Sequence, residues 1–222
     1  MNLLDLSKPK QSTRKRLLKS AESLFAKRGF GGLTLREVSQ QSNTNLASAH
    51  YHFGSKEALV MEMLQCRIRP INDRRKHYIA NAKAKSEGKA LPTHLIFEAL
   101  IAPIGEEISK SIHNRKTLAQ IVARSFTEPE SFIQEMHRRF FGELCELFTN
   151  ELCLAHPNTP KEDICWNLHF AISSMLGALA QHRRLHHFSQ GLCDENDTST
   201  MISRLILFVT HGFEAGIKSQ NP

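Results

Sequence analysis

Apolar residues recur along this chain at spacings of three, four and seven, and almost nowhere alternate with period two over a useful length, which predicts helices and no strand. Leu17, Ala21, Leu24 and Phe25 form the stripe of a first helix that starts near Ser12 or Thr13 and stops at Gly29, with Arg28 close to its negative end. Gly31 and Gly32 turn the chain. Thr34 with Glu37 three residues on is a capping-box pattern, opening a short helix that turns Leu35 and Val38 inward and ends by Ser42. Asn43 stands where a tight turn needs a residue that tolerates positive φ. In the third helix, 45–53, Leu46, Ala49 and Phe53 share one face, leaving Asn45, Ser48 and His52 on the other with His50 and Tyr51 flanking.

Gly54 breaks that helix, and Ser55 caps a fourth that runs through Leu59, Met63 and Cys66 until Pro70 interrupts or kinks it. A basic helix, 71–85, then leads to the polar joint 86–89. Further helices are expected over 93–111, 115–126, 129–155, 161–187 and 198–218, with Pro103 and Gly105 bending or splitting the first of them. The fold class is therefore all-α, and neither an internal repeat nor a low-complexity segment interrupts it.

Composition adds a division. The chain has 222 residues and a formal net charge of +7, which divides unevenly: residues 1–89 carry 18 Lys/Arg against 7 Asp/Glu, and residues 90–222 carry 11 against 15. A basic head meeting a polyanion would draw affinity from counterions released at each neutralised phosphate, although a solvated basic surface gives the same count. The five cysteines, Cys66, Cys145, Cys153, Cys165 and Cys193, are odd in number and show no CxxC spacing, so reduced thiols in the cytosol are expected. Cys145 and Cys153 lie too far apart along one helix to bridge. The apolar stretch 164–180 is broken by Asn167, His169, Ser173 and Ser174 and falls short of a membrane span, so a cytoplasmic, soluble protein with no membrane partner is expected.

Three short helices with a four-residue turn before the third make a helix-turn-helix unit, whose last helix enters the DNA major groove. The runs AESLFAKRGF at 21–30, TLREV at 34–38 and NLASAHYHFGSKEAL at 45–59 together resemble the DNA-binding head of the TetR family, over about the first 65 residues. The variant from Asn45 to Lys56 is similar to that family's fatty-acid-responsive, PsrA-like branch, and ARSFTEP at 123–129 with the segment 170–179 after Trp166 has the look of that branch's C-terminal domain. The turn departs from the commonest pattern, with Asn43-Thr44 where Gly-Val is usual and His50 where Tyr often stands, so base preference does not carry over.

The resemblance implies a DNA-binding head at 8–56 and a ligand-binding, dimerising body at 57–222, with a double-stranded operator, a small-molecule effector and a second copy of the chain as partners. It implies that Thr34, through its hydroxyl and backbone N–H, and Tyr51 and Lys56 clamp phosphates, which sets register. Thr44, Asn45, Ser48, His50 and His52 are then the residues set to read bases, with Asn45 alternatively an N-cap and His52 a phosphate contact. In the body, Leu168, Ala171, Ile172, Met175, Leu176 and Leu179 form one stripe, and Met201, Leu205, Phe208, Val209, Gly212, Phe213 and Gly216 another. These are candidates for a four-helix dimer interface across a two-fold axis, with Gly212 and Gly216 allowing close approach, or for intrachain core.

Phe97, Leu100, Ile104, Ile121, Phe126, Phe132, Met136, Phe140 and Phe170 are candidates to line an apolar cavity. Arg124 is the candidate anchor for an acidic head group, unless Glu128 neutralises it. The expected ligand is a long-chain fatty acid or its acyl-CoA, the alternative an aromatic or drug-like molecule. His182, His186 and His187 share helical spacing but lack a following carboxylate or thiol at ligand distance, so neither a metal nor a cofactor is expected. A helical enzyme would need a nucleophile elbow, phosphate loop or HExxH that the chain lacks, so the protein is read as no enzyme. A helical adaptor binding protein through its apolar stripes is the second reading.

Overall fold

The computed structural model describes residues 12–110, 112–125, 127–181 and 184–218; Phe126 and His182, both named above, lie outside them. Among the described residues there are eleven α-helices and no strand, so the chain is all-helical. It divides into two compact units, Met1–Cys66 and Arg67–Pro222. The division falls inside a helix and not at position 56.

In the first unit, α1 (Thr13–Arg28), α2 (Leu35–Gln41) and α3 (Leu46–Phe53) pack around Leu17, Ala21, Phe25, Leu33, Val38 and Ala49, all but buried completely. Leu46, expected on the inner face of α3, is exposed instead, because it opens the helix before Ala49 and Phe53 turn toward α1. The helix α4 (Lys56–Lys85) continues through Pro70, so of the interruption or kink expected there the interruption does not occur. A proline removes one backbone donor and bends a helix without ending it where neighbouring contacts hold both halves. Beyond Pro70, Ile71 and Ile79 are buried, whereas before it Leu59, Val60, Met63 and Leu64 belong to the first unit's core.

The second unit is built from the later part of α4 with α5 (Thr93–Ser109), α6 (Ile112–Ser125), α7 (Glu130–Phe140), α8 (Gly142–Ala155), α9 (Lys161–Ala180), α10 (Arg184–Phe188) and α11 (Thr198–Lys218). The joint before α5 turns through positive φ at Glu87 and Gly88. Pro103 does not split α5, and Gly105 is needed for packing, since an added Cβ would meet Ile202 Cγ1 of α11 at 2.7 Å. The single helix expected over 129–155 is instead two, joined at Phe141, and that expected over 161–187 stops at Ala180 before the short α10. Neither interruption carries a proline, so periodicity alone ran across both. The core of this unit gathers Ile96, Phe97, Ile101, Phe148, Leu152 and Ile164 around α5, α8, α9 and α11.

Candidate nucleic-acid interface and ligand cavity

The turn between α2 and α3 is fixed from both sides. Asn43 adopts φ 51°, as the sequence predicts, and its N–H donates to Gln40 O at 3.0 Å. The Arg16 guanidinium of α1 donates to the carbonyl oxygens of Ser42 and Asn43, tying the turn to the first helix. Asn45 caps α3, its Oδ1 accepting from the Ser48 N–H at 2.6 Å, as the N-cap alternative expects. Thr44 is turned inward as well: its hydroxyl lies 2.8 Å from Ser42 Oγ and 3.4 Å from Ser39 O.

Two of the expected phosphate clamps already have partners. The Thr34 N–H and hydroxyl both reach Glu37 Oε2, at 3.0 Å each, while the Glu37 N–H donates back to Thr34 Oγ1 at 3.2 Å, so the capping box is complete. Lys56 Nζ donates to Phe30 O at 3.2 Å and lies 4.1 Å from the Phe30 ring centroid, a cation–π contact that anchors the start of α4 on the α1–α2 turn. An ammonium has three donors, so this contact leaves Lys56 able to meet a phosphate beside Phe30. Tyr51 is 87% exposed, with only the edge of its ring against His52. His50 faces solvent with Nδ1 3.2 Å from Gly54 O. The outward edge of α3 thus brings together Ser48, Tyr51 and His52, while Thr34, Thr44 and Asn45 chiefly shape the frame.

Arg28 pairs with the remaining oxygen of Glu37 at 2.9 Å. The hydroxyl of Thr34 in the first place, and the Arg28 guanidinium after it, hold the Glu37 carboxyl below its ordinary range. A depressed carboxyl supports the fold above the unfolded value and withdraws that support as pH falls through the folded one. Amide protection in the first turn of α2 is therefore expected to drop on acidification through that window, and in Glu37→Gln the step should vanish. An identical step in the variant, read by hydrogen exchange, would assign it to another group.

In the second unit a cavity of about 300 Å³ lies among α4 to α9, lined by Ile71, Leu100, Ile104, Leu118, Ile121, Met136, Phe148, Leu168 and Met175 with Asn72 and Arg75. Of the sequence candidates, Leu100, Ile104, Ile121 and Met136 reach it. Phe97 does not: it is 0% exposed with its ring 5.4 Å from that of Phe213, on the α5–α11 side of the core. Phe132 is buried outside the lining, and Phe170 faces solvent. Phe140 is not in the lining, but its carbonyl accepts from Asn72 Nδ2 at 2.7 Å. Arg124 is half-buried, engaged elsewhere and outside the lining.

The charge in the cavity wall is Arg75, which the sequence reading missed. It is 4% exposed, donating from Nε to Leu100 O at 2.8 Å, from Nη1 to Asn72 Oδ1 at 3.0 Å and from Nη2 to Met175 Sδ at 3.8 Å. Burial pushes its pKa down to about 10, with only the Cys145 thiol acting against that, so the guanidinium is still charged at neutral pH. Its neighbour Arg74 is paired with Glu107 at 2.8 Å and Glu106 at 3.3 Å, whereas no carboxylate pairs with Arg75 among the described residues.

Residues 17–63 match the family described as bacterial regulatory proteins of the tetR family, and residues 98–212, just over half of the chain, match its tetracycline-repressor-like C-terminal domain. The chain belongs to the TetR family. Among curated relatives, the "probable HTH-type transcriptional regulator YttP" of Bacillus subtilis is 25% identical over 57% of this chain and 56% of its own length. The negative regulator of the biofilm operon icaADBC, IcaR of Staphylococcus aureus, is 31% identical over 23% of this chain and 27% of its own. The match thus spans little more than half of the first relative and about a quarter of the second. Two solved structures share the fold: a transcriptional regulator from Rhodococcus sp. Rha1 (TM-score 0.60, 14% identity, 90% of this chain and 97% of that one) and the fatty acid degradation regulator FadR from Bacillus halodurans (0.59, 8%, 92% and 98%).

This TetR-family chain uses most of the two predicted stripes internally. Leu168, Ile172, Met175 and Leu179 of α9 face the cavity, and Leu205 and Phe213 of α11 are core. Met201 is partly buried against that core. Gly216 admits α9 of the same chain, since a Cβ there would stand 2.2 Å from Asn167 Oδ1, while Gly212 has open space. What α9 and α11 leave outside includes one residue of the predicted stripes, Phe208 at 67% exposed, and three that lie off them, Trp166 and Phe170 on α9 and Leu207 on α11. The stripe spacing marked Phe208 but passed over Trp166, Phe170 and Leu207, which lie on other faces of the same helices. Among the described residues no group of three His, Cys, Asp or Glu is arranged for a metal, and no helix is long and apolar enough to cross a membrane.

Proposed function

We propose that this TetR-family regulator is a cytoplasmic repressor that binds a double-stranded operator as a homodimer and is released by a small hydrophobic or acidic ligand, such as a fatty acid or its acyl-CoA. The observation that carries the DNA reading is the outward edge of α3, where Ser48, Tyr51 and His52 stand together behind a turn tied down by Arg16. The surplus of Lys/Arg confined to residues 1–89 supports it. In a dimer, two such helices about 34–36 Å apart would enter successive major grooves. The exposed Trp166, Phe170, Leu207 and Phe208 support α9 and α11 as the dimer face, because apolar surface of this kind is otherwise costly in water. A ligand in the body would act by favouring a different spacing of the heads, a shift in populations that requires it to bind one arrangement better. The fatty-acid branch is supported by the sequence variant at 45–56 and by the likeness to a fatty acid degradation regulator, in fold alone.

The test is selection of genomic fragments by the purified protein, then footprinting at two salt concentrations. A protected palindrome whose affinity falls steeply with salt is expected. Tyr51→Ala should weaken binding to every selected sequence by about tenfold, the scale of one lost phosphate hydrogen bond to a charged group. Unchanged affinity would remove α3 from the interface.

A further inference from the structure

We propose that the body's cavity receives a free monocarboxylic acid with an apolar chain, its carboxylate held by the Arg75 guanidinium and its chain along Ile121, Met136, Phe148 and Leu168. This inference rests on the reading of the body as a ligand-binding unit and narrows it: the acid itself, not its coenzyme A thioester. Three observations carry it.

First, Arg75 has no charge partner among the described residues. A guanidinium has five N–H donors. Three are met, by Leu100 O, Asn72 Oδ1 and Met175 Sδ, the last at a sulfur distance of 3.8 Å. Two remain, on the two terminal nitrogens, which are the pair that grips a carboxylate in the two-pronged geometry. A charge taken out of water is retained in a fold only where something compensates it, and no carboxylate of the described residues does so here.

Second, the side chain is held in place by groups that do not neutralise it. Asn72 is itself fixed, its Nδ2 donating to Phe140 O at 2.7 Å while its Oδ1 accepts from Arg75. The fork is therefore oriented before any ligand arrives. Third, apart from Asn72, the Cys145 thiol and the exposed His137, the rest of the wall is made of hydrocarbon and thioether side chains, so an acid head and a hydrocarbon body match the site. A thioester is neutral where the acid is charged, and would leave the guanidinium uncompensated. The Cys145 thiol also lines the cavity, but burial raises its pKa and it supplies no counter-charge at neutral pH.

The experiment is calorimetric titration of the delipidated full-length protein, without DNA, using decanoate, decanol and decanoyl-CoA as probes. Decanoate is expected to bind about 10- to 100-fold more tightly than decanol, the range for hydrogen bonds to a charged group, and more tightly than decanoyl-CoA. Arg75→Gln should bring decanoate down to the affinity of decanol while leaving decanol unchanged, and Arg75→Lys should keep part of the preference. Equal binding of acid and alcohol by the wild type, a preference that survives Arg75→Gln, tighter binding of the thioester, or no binding of any probe would each overturn the assignment. Should Arg75→Gln fail to fold, the wild-type comparison and Arg75→Lys decide. Since DNA is absent from the measurement, failure of the operator reading leaves these outcomes untouched, and footprinting reports that failure separately.

Discussion

Phe97→Ala should destabilise the second unit by about 3–5 kcal/mol, the usual cost of truncating a buried phenylalanine. Phe97 is fully buried, stacked edge-on against Phe213, and surrounded by the α5 and α11 core in which Ile96 and Ile101 are equally enclosed. Truncation loses the transfer free energy of the ring and leaves a void that helices on two sides cannot close, because Gly105 already lets α11 approach α5 as nearly as Ile202 permits. Denaturant unfolding followed by circular dichroism would show the midpoint of the second unit fall. The contrast is Phe170→Ala, at a site open to water, which should leave that midpoint nearly unchanged at protein concentrations where the chain is monomeric. Comparable losses in the two variants would mean that Phe97 is less enclosed than the packing indicates.

Gly32→Ala should cost the first unit about 1–3 kcal/mol, the range for forced overpacking. A Cβ at this position would stand 2.6 Å from both the Cβ and the carbonyl oxygen of Arg28, and the oxygen belongs to the last turn of α1 and cannot swing aside. Relief requires the α1–α2 turn to open, which pulls Arg28 from Glu37 and shifts Phe30 from under Lys56. The strain therefore spreads to the frame that orients α3. Hydrogen exchange should show lost protection in α1 to α3 with α5 to α11 unaffected, and operator affinity should fall with it. Gly31→Ala, where a Cβ meets nothing within 4 Å, is the control, and equal damage from both would point to backbone freedom rather than crowding.

These contrasts separate what was legible along the chain from what was not. The capping box at Thr34 and Glu37, the positive φ at Asn43 and the end of α3 at Gly54 were all readable, because each is decided by residues within four positions of one another. The cavity was half readable: Leu100, Ile104, Ile121 and Met136 reach it, yet Phe97 and Phe132 are buried outside its lining and Phe170 faces solvent. Arg75 carried a signal that charge counting hid. It stands four residues after Ile71 and four before Ile79, on the buried stripe of α4, but inside a run rich in Arg and Lys that reads as a solvated face.

By itself the sequence determined that the chain is helical, where the short helices of the head begin and turn, and that its basic residues concentrate in the first 89 positions. Periodicity, capping and charge are properties of neighbours in the chain, and need no knowledge of what lies across a core. Tertiary structure alone decided that α4 passes through Pro70, that most of the α9 and α11 stripes are spent inside one chain while Trp166, Phe170, Leu207 and Phe208 face outward, and that Arg75 and not Arg124 enters the cavity. An amphipathic pattern states that a helix has an apolar face, but which partner covers that face, and which charge is carried in with it, depends on contacts between residues far apart in sequence.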